Sequence, residues 1–332
     1  MTKISISYFQ VIRKADYFIM VIIESDKQLL PCKECCVVLG NFDGVHTGHR
    51  FLIDKAKQYA AENSLSLLIY TFATHPKIFY DENFKVITTK DEKSAIFNSI
   101  NIDYLYYEDF QTVRDMSPED FCNNILIKKL KAKAVFCGSN HRFGKNASGT
   151  ADSMREYLNS KDVNVFVQDY LYSGDSIVSS SLIRQKISCG NIPGANKLLG
   201  QCFSVNFPVI HGFCLGRKLG FPTINQILPK EKLVPPHGVY ACYTHIEDKL
   251  YPSVMNIGVK PTITHDMPDP PVLCETHIIN FDKDLYGKKI CVYLVEKIRD
   301  EKRFSDVEQL KQAVFCDIEQ AKKILERFNN EE

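Results

Sequence analysis

The stretch CVVLGNFDGVHTGHRFLIDKAKQYAAENSLSLLIYTF, residues 36–72, decides the fold. It opens on the short apolar run CVVLG (Cys36–Gly40), whose length and β-branched content read as a buried strand. A glycine-punctuated turn follows, with Gly40, Gly44 and Gly48. Phe51–Asn63 reads as a helix, with Phe51, Leu52, Ala56, Tyr59 and Ala60 available for one face. LSLLIYTF (Leu65–Phe72) is the next buried strand. Strand, helix and strand make one βαβ unit of ordinary length.

The alternation continues downstream. Thr89-x-x-Glu92 is a capping box that opens a helix, followed by a strand around IDYLYY. Ser117-Pro118 supplies an N-cap and a proline at the first helical position, and that helix runs to about Leu130. AVFCG (Ala134–Gly138) follows as a strand, Thr150 caps another helix, and VNVFVQD (Val163–Asp169) is a further strand. Strands separated by helices imply a mainly parallel, doubly wound sheet with helices on both faces. Ligands of such sheets bind beyond the carboxyl ends of the strands.

After Gly200 the pattern changes. FSVNFPVI, GVYACYTHI, LYPSVMNI, VLCETHIINF and KKICVYLVEKI are strand-like runs parted by Gly, Pro and Asp. A helix signal returns at Ser305-x-x-Glu308, another capping box, and lasts to about Phe328. Successive strands without helices between them predict a small antiparallel β-barrel closed by one helix. The expected division is thus an N-terminal segment of uncertain relevance (1–36), an α/β domain (37–199) and a barrel domain (200–332). Met20 is an alternative start, so residues 1–19 carry no argument.

Composition excludes several classes. Forty-one Lys and Arg against 40 Asp and Glu leave a formal charge of +1. Neither half has the basic excess that draws a protein to nucleic acid or an anionic membrane. The apolar share of 45% and charged share of 24% are those of an ordinary globular chain. No apolar run approaches the roughly 20 residues of a membrane span, and the expected location is cytoplasmic. The 12 cysteines are too sparse for a disulfide scaffold. Cys32, Cys35 and Cys36 form the one CxxC-like cluster, and no second pair completes a zinc site.

The turn GNFDGVHTGHR (Gly40–Arg50) carries the first chemistry. His46 and His49 are three apart at a helix start, so both rings project from the first turn. Free N–H groups and the positive end of the helix dipole point the same way. Two donors and a helix N-terminus form a triphosphate cradle, placed where charge builds on an attacked phosphorus. A surface histidine pair and half a metal site are the plain alternatives. Three later strand ends add to it: His75 in TFATHP, Asn140, His141 and Arg142 in CGSNHRFG, and Ser179, Ser180 and Arg184 in VSSSLIR. Each has a plain reading alone, as turn, N-cap or surface charge; together they occupy the strand ends of one nucleotide pocket.

In the second half, HGFCLGRKLGFPTIN (His211–Asn225) is glycine-punctuated at Gly212, Gly216 and Gly220, so its N–H groups can wrap phosphates. Thr223 and Asn225 alternate by two, and on a strand their oxygens point the same way. Two neutral oxygens with phosphate oxygens and waters suit Mg²⁺. Glycines in a β-protein are also plain turns.

These motifs together resemble the bacterial bifunctional FAD synthetase family, in which riboflavin kinase and FMN adenylyltransferase share one chain. The resemblance runs from about Val37 to Phe328. It implies a Rossmann-like nucleotidyltransferase sheet whose signature is HTGH, with His46 and His49 catalytic. SSSLIR matches the family's Ser-Ser-Thr-x-Ile-Arg motif, which binds ATP phosphates. ATP-binding is thereby implied for Gly40, Phe42, Asp43, Gly48, Asn140, Ser179, Ser180 and Arg184. Asn140 and His75 fall at flavin-side positions. GRKLGFPTIN resembles the riboflavin kinase motif, which implies ATP-binding by Gly212, Gly216, Arg217 and Gly220, with Thr223 and Asn225 as Mg²⁺ ligands. HGVYA, MNIGVKPT and ETHIINFDKDLYGKKI resemble later blocks of the kinase. Glu275 is the base by resemblance, with His277 on the same strand face, and Arg299 and Phe304 fall near the flavin.

The chain departs from the family's pattern at Ala73-Thr74, His141, Ser181, Gln201, Asn206 and Ile224. The implied substrates are riboflavin, FMN and ATP, with Mg²⁺. A cytidylyltransferase for a small phosphorylated alcohol shares HxGH but leaves the barrel unexplained. A flavin-binding regulator without catalysis fits poorly with intact His46, His49, Thr223, Asn225 and Glu275.

Overall fold

The computed structural model describes residues 20–25, 33–212, 216, 219–259 and 271–331. They fall into two compact units that divide between Ser180 and Ser181.

The first unit is a six-stranded parallel sheet. Its strands are β1 (Val21–Glu24), β2 (Cys35–Leu39), β3 (Ser66–Phe72), β4 (Tyr104–Glu108), β5 (Ala132–Gly138) and, after two short ones, β8 (Asn164–Gln168). The order is β1-β4-β3-β2-β5-β8, parallel throughout. Every residue of β2 is buried. Cys35, Val37 and Leu39 join one core cluster, while Cys36 and Val38 join another. A strand that feeds two cores by alternation needs both faces covered, hence the continuous apolar run. Chain order reverses between β2 and β5, which makes their carboxyl ends the switch point of the sheet.

Local sequence sets the helices. Helix α1 (Thr47–Glu62) starts earlier than the apolar pattern predicts, because His46 caps it. Its buried residues are Leu52, Ile53, Ala56 and Ala60; Phe51, expected on that face, is exposed beneath the Lys55 ammonium. Helix α2 (Lys90–Ser99) has the Thr89–Glu92 capping box. A short helix α3 (Phe110–Val113) precedes α4 (Pro118–Asp120), which Ser117 caps and Pro118 begins. Helix α4 runs on as a π-helical stretch over Phe121–Lys129. The small ribbon β6 (Arg142–Phe143) with β7 (Gly149–Thr150) leads into α5 (Ala151–Asn159), capped by Thr150. A second ribbon, β9 (Tyr172–Ser173) with β10 (Ser176–Ile177), precedes α6 (Ser180–Ser188).

The segment before Val37, given no role by its sequence, supplies the edge strand β1 beside β4. Burial pushes the Cys35 and Cys36 thiols up to about 12, so both stay protonated and pack as small hydrophobes. Cys32 lies outside the described residues.

The second unit is an antiparallel sheet of β11 (Ser204–Pro208), β12 (Thr223–Ile227), β13 (Gly238–Ile246), β14 (Lys249–Val259), β15 (Val272–Ile278) and β16 (Lys289–Arg299). The order β11-β16-β13-β14-β15-β12 nearly closes on itself, and a bridge from the Ile210 N–H to the Asn225 carbonyl draws the ends together at 2.8 Å. Val239, Ala241 and Tyr243 pack outward against Ile318, Ala321, Ile324 and Leu325 of the closing helix α8 (Val307–Glu331). Its cap is Asp306, which accepts the Gln309 N–H at 2.9 Å, rather than Ser305. Helix α7 (Ile192–Leu199) belongs to this unit: buried Asn196 donates to the Leu294 carbonyl and accepts the Phe203 N–H.

Candidate active sites

In the first unit the loop after β2 is held by its own hydrogen bonds. Phe42 and Val45 hold positive φ of 49° and 41°, with Gly44 between them at 85°. A β-branched valine there is strained, and the surroundings over-determine it. Asp43 is buried and accepts the Ile87 and Thr88 N–H groups at 2.8 and 3.1 Å. Gly44 N–H donates to Thr88 Oγ1, and the Ser180 hydroxyl donates to the Asp43 carbonyl at 2.9 Å. Gly40 must be small, since a Cβ would lie 2.8 Å from the Phe42 ring. That ring is fully buried, edge-on to His49 and Phe97.

The turn delivers two stacked imidazoles. The rings of His46 and His49 lie 3.6 Å apart, 15° from parallel. His46 Nδ1 accepts the His49 N–H at 3.3 Å, which leaves the proton of the neutral ring on Nε2. Burial, opposed by Asp43, brings the His46 pKa down to about 4. Burial, then His46 and then Lys93, hold His49 well below the usual histidine range. Both rings are therefore neutral donors at pH 7. His49 Nδ1 is buried without a partner among the described residues.

The other strand-end residues are spread along the same carboxyl edge. His75 caps a 3₁₀ turn, Pro76–Phe79, by accepting the Lys77 N–H, and stacks obliquely on Phe84. Asn140 is exposed after β5, and the neighbouring His141 Nε2 is buried without a partner among the described residues. Ser179 and Ser180 close the unit. Arg184 follows one turn into α6, beyond the division.

The sequence reading passed over Lys93. Its Nζ donates to the Asn41 carbonyl at 2.9 Å and to Thr71 Oγ1 at 3.4 Å, and Thr71 donates to the same carbonyl. The signal was present: Lys93, Ile96 and Phe97 form the apolar face of α2, and a lysine occupies a place where a hydrophobe is expected.

In the second unit the two oxygen donors meet the carboxylate across strands. Asn225 pairs with Glu275, and Thr223 with His277, between β12 and β15. Glu275 is flanked on its other side by Asn256 of β14, whose amide donates to Glu301 at 3.3 Å. Asn225 is buried and its Oδ1 has no partner among the described residues. Gly212 makes room for it, because a Cβ there would lie 2.5 Å from Asn225 Nδ2. Gly216 accepts the Phe221 N–H, and Gly220 turns at φ 90°. Arg217 lies outside the described residues, as does the end of the MNIGVKPT block. Thr223 also borders a cleft lined by Val209, Ile224, Ile278, Leu285 and Tyr286, with Tyr286 stacked on His211 at 3.9 Å. The Arg299 guanidinium is spent on Asp317, at 2.8 and 2.7 Å, and lies over the Phe304 ring.

Among the described residues no helix is long and apolar enough to cross a membrane, and no cluster of three or more His, Cys, Asp or Glu could hold a metal. Comparison with known proteins matches residues 31–182 to the FAD synthetase family model and residues 199–325 to the riboflavin kinase model. The bifunctional riboflavin kinase/FMN adenylyltransferase of Bacillus subtilis (strain 168) is 34% identical over 86% of this chain and 90% of its own. Its Escherichia coli (strain K12) counterpart is 30% identical over 86% and 91%. A crystal structure described as a macrolide-efflux protein from Streptococcus pneumoniae superposes with a TM-score of 0.80 at 28% identity, covering 91% of this chain and 99% of that one. Sheet, barrel, both loops and these relatives agree: the chain belongs to the bifunctional riboflavin kinase/FMN adenylyltransferase family and carries both activities.

Proposed function

We propose that FMN is adenylylated in the first unit, at the carboxyl ends of β2, β3 and β5, and that riboflavin is phosphorylated in the second, beside Thr223, Asn225 and Glu275. The observation that carries the first assignment is the neutral, stacked His46–His49 pair at the start of α1. An FMN phosphate oxygen attacks the α-phosphorus of ATP, the bond to the bridging oxygen breaks, and pyrophosphate leaves. The attacker is already an anion, so no general base is needed; the site supplies position and charge stabilisation. His46 Nε2–H, His49 and the Gly48 N–H meet the phosphate oxygens. Phe42 and Asp43 serve by holding the loop, since both side chains face inward. Ser180 ties the loop down from its far side, and Asn140 and His75 line the flavin end. The part of Arg184 rests on the sequence resemblance alone.

In the kinase the ribityl hydroxyl attacks the γ-phosphorus, and Glu275 takes its proton as ADP leaves. The unpartnered Asn225 Oδ1 and the Thr223 hydroxyl on the same strand face fit a hard cation that keeps several waters, which supports Mg²⁺. Mg²⁺ bound there would neutralise charge on the β- and γ-phosphates. The cleft beside Thr223 combines apolar walls (Val209, Ile224, Leu285) with polar groups (Asp282, Lys283, Asp284), a mixture that suits the face and edge of the adenine base. Arg299 is committed to Asp317, so its contribution to the flavin site is to hold Phe304.

The test is product analysis with riboflavin, ATP and Mg²⁺. In His46→Ala, FAD formation is expected to fall about 10²–10³-fold, the usual loss for one such donor, while FMN accumulates. FAD output at the wild-type rate would remove His46 from the transition state.

A further inference from the structure

Burying an ammonium is costly unless it is paired. Lys93 is 5% exposed and among the described residues forms no direct ion pair, although the buried Asp43 carboxylate lies near enough to favour its charge. Its partners are one carbonyl and one hydroxyl, Asn41 and Thr71. Those residues follow directly on β2 and within β3, at the carboxyl edge of adjacent strands. Lys93, Thr71 and Asn41 close a triangle, because the Thr71 hydroxyl donates to the carbonyl that also accepts from Lys93.

The triangle sits where the backbone is least relaxed. Asn41 precedes the positive-φ run Phe42–Gly44–Val45, and such strain persists only where neighbours enforce it. Asp43 is fixed by the Ile87 and Thr88 amides. Lys93, one turn further on in α2, fixes Asn41. Its charge also reaches the histidine pair and acts against protonation of His49. The loop then brings neutral imidazoles to the phosphates, while the Lys93 ammonium, its pKa brought down to about 8 by burial against the opposing pull of Asp43, is held beneath Asn41 at neutral pH.

We infer that Lys93 is a positioning residue for adenylyl transfer: its ammonium locks the Asn41 carbonyl and keeps the His46–His49 pair set for the α-phosphate of ATP. This rests on the assignment of the HTGH turn to that phosphate. The role accounts for a cation in the core face of an amphipathic helix, where methionine or leucine would pack more favourably.

The test compares Lys93→Met, Lys93→Arg and His46→Ala in the full-length chain, with riboflavin kinase activity as an internal control. Lys93→Met keeps the length and packing of the side chain. Its kcat for FAD synthesis is expected to fall at least tenfold with KM for ATP changed less than threefold, and with kinase turnover unchanged. Lys93→Arg is expected to recover part of the lost kcat, because a charge and donors return. If kcat stays within twofold of wild type in Lys93→Met while His46→Ala loses FAD synthesis, Lys93 has no positioning role and the inference fails alone. If His46→Ala also keeps full activity, the assignment of the HTGH turn fails with it. A loss in Lys93→Met that appears only in KM, or that follows a collapse of the thermal transition unrelieved by Lys93→Arg, assigns Lys93 to the fold and overturns the proposal.

Discussion

The two sites proposed to handle phosphates, one at the loop after β2 and one on β12 and β15, are built in opposite ways. The first is rigid and internally bonded: Asp43, Gly44, Ser180 and Lys93 each hold it by a named hydrogen bond, and its histidines are kept neutral by burial. The second places its working groups on strands, where register alone sets Asn225 against Glu275 and Thr223 against His277. The difference follows the chemistry of the nucleophile. A phosphate arrives ionised and needs only donors in fixed positions, so investment goes into the loop's shape. A hydroxyl must lose a proton, so a carboxylate has to be held beside the proposed cation site, and a sheet does this through its regular spacing.

The comparison breaks most visibly at Glu275. In Glu275→Gln the shape and hydrogen-bond reach remain but the proton acceptor is gone. Kinase turnover is expected to fall about 10²–10⁴-fold, with FAD synthesis from supplied FMN retained. Steady-state assays with each flavin check this, and normal kinase turnover would pass the base role to another group. His277 is the next candidate, because its Nδ1–H donates to the Pro222 carbonyl at 2.9 Å and leaves Nε2 as the proton acceptor.

A smaller effect is expected at Gly212. An added methyl would press on the Asn225 amide, and displacing one of two proposed ligand oxygens should weaken Mg²⁺ activation of Gly212→Ala by roughly tenfold, in line with other disturbed ligand sets. Titration of kinase activity with Mg²⁺ measures it. An unchanged Mg²⁺ dependence would detach Asn225 from the metal.

The gentlest test is pH. His46 and His49 have folded-state pKa values below that of an unfolded histidine, about 6.5. The unfolded chain therefore binds more protons on acidification. The stability tied to these neutral rings is complete above pH 6.5 and is lost as pH falls towards 4. The thermal transition of the first unit should drop across that window, and less so in His46→Gln. A transition insensitive to pH between 6.5 and 4.5 would contradict the neutral-donor picture.

Much of this was legible in the sequence because it is local. The βαβ alternation and the caps at Thr89, Ser117 and Thr150 each depend on residues within one turn, and the structure has them. The barrel strands after Gly200 were likewise visible from their punctuation. What escaped depends on contacts distant in sequence. Strand β1 becomes a strand only by pairing with β4. Phe51 and Ile53 exchange places because packing on β2, β3 and β5 decides which side of α1 is buried. The resemblance implies ATP contacts for Phe42 and Asp43; that their side chains turn into the core, with Asp43 held by the Ile87 and Thr88 amides, depends on partners that no spacing rule names. Lys93 escaped for the same reason, as its partners lie on two other strands' ends.

Independence of two chemically different phosphate sites on one chain is the expectation with the widest reach. Its most direct test is a time course of FMN and FAD from riboflavin, ATP and Mg²⁺, run on the intact protein and on His46→Ala and Glu275→Gln. The expected result is a crossed loss: His46→Ala accumulates FMN without FAD, while Glu275→Gln makes neither from riboflavin yet converts supplied FMN to FAD. Loss of both steps in either variant, with the fold intact by circular dichroism, would contradict it.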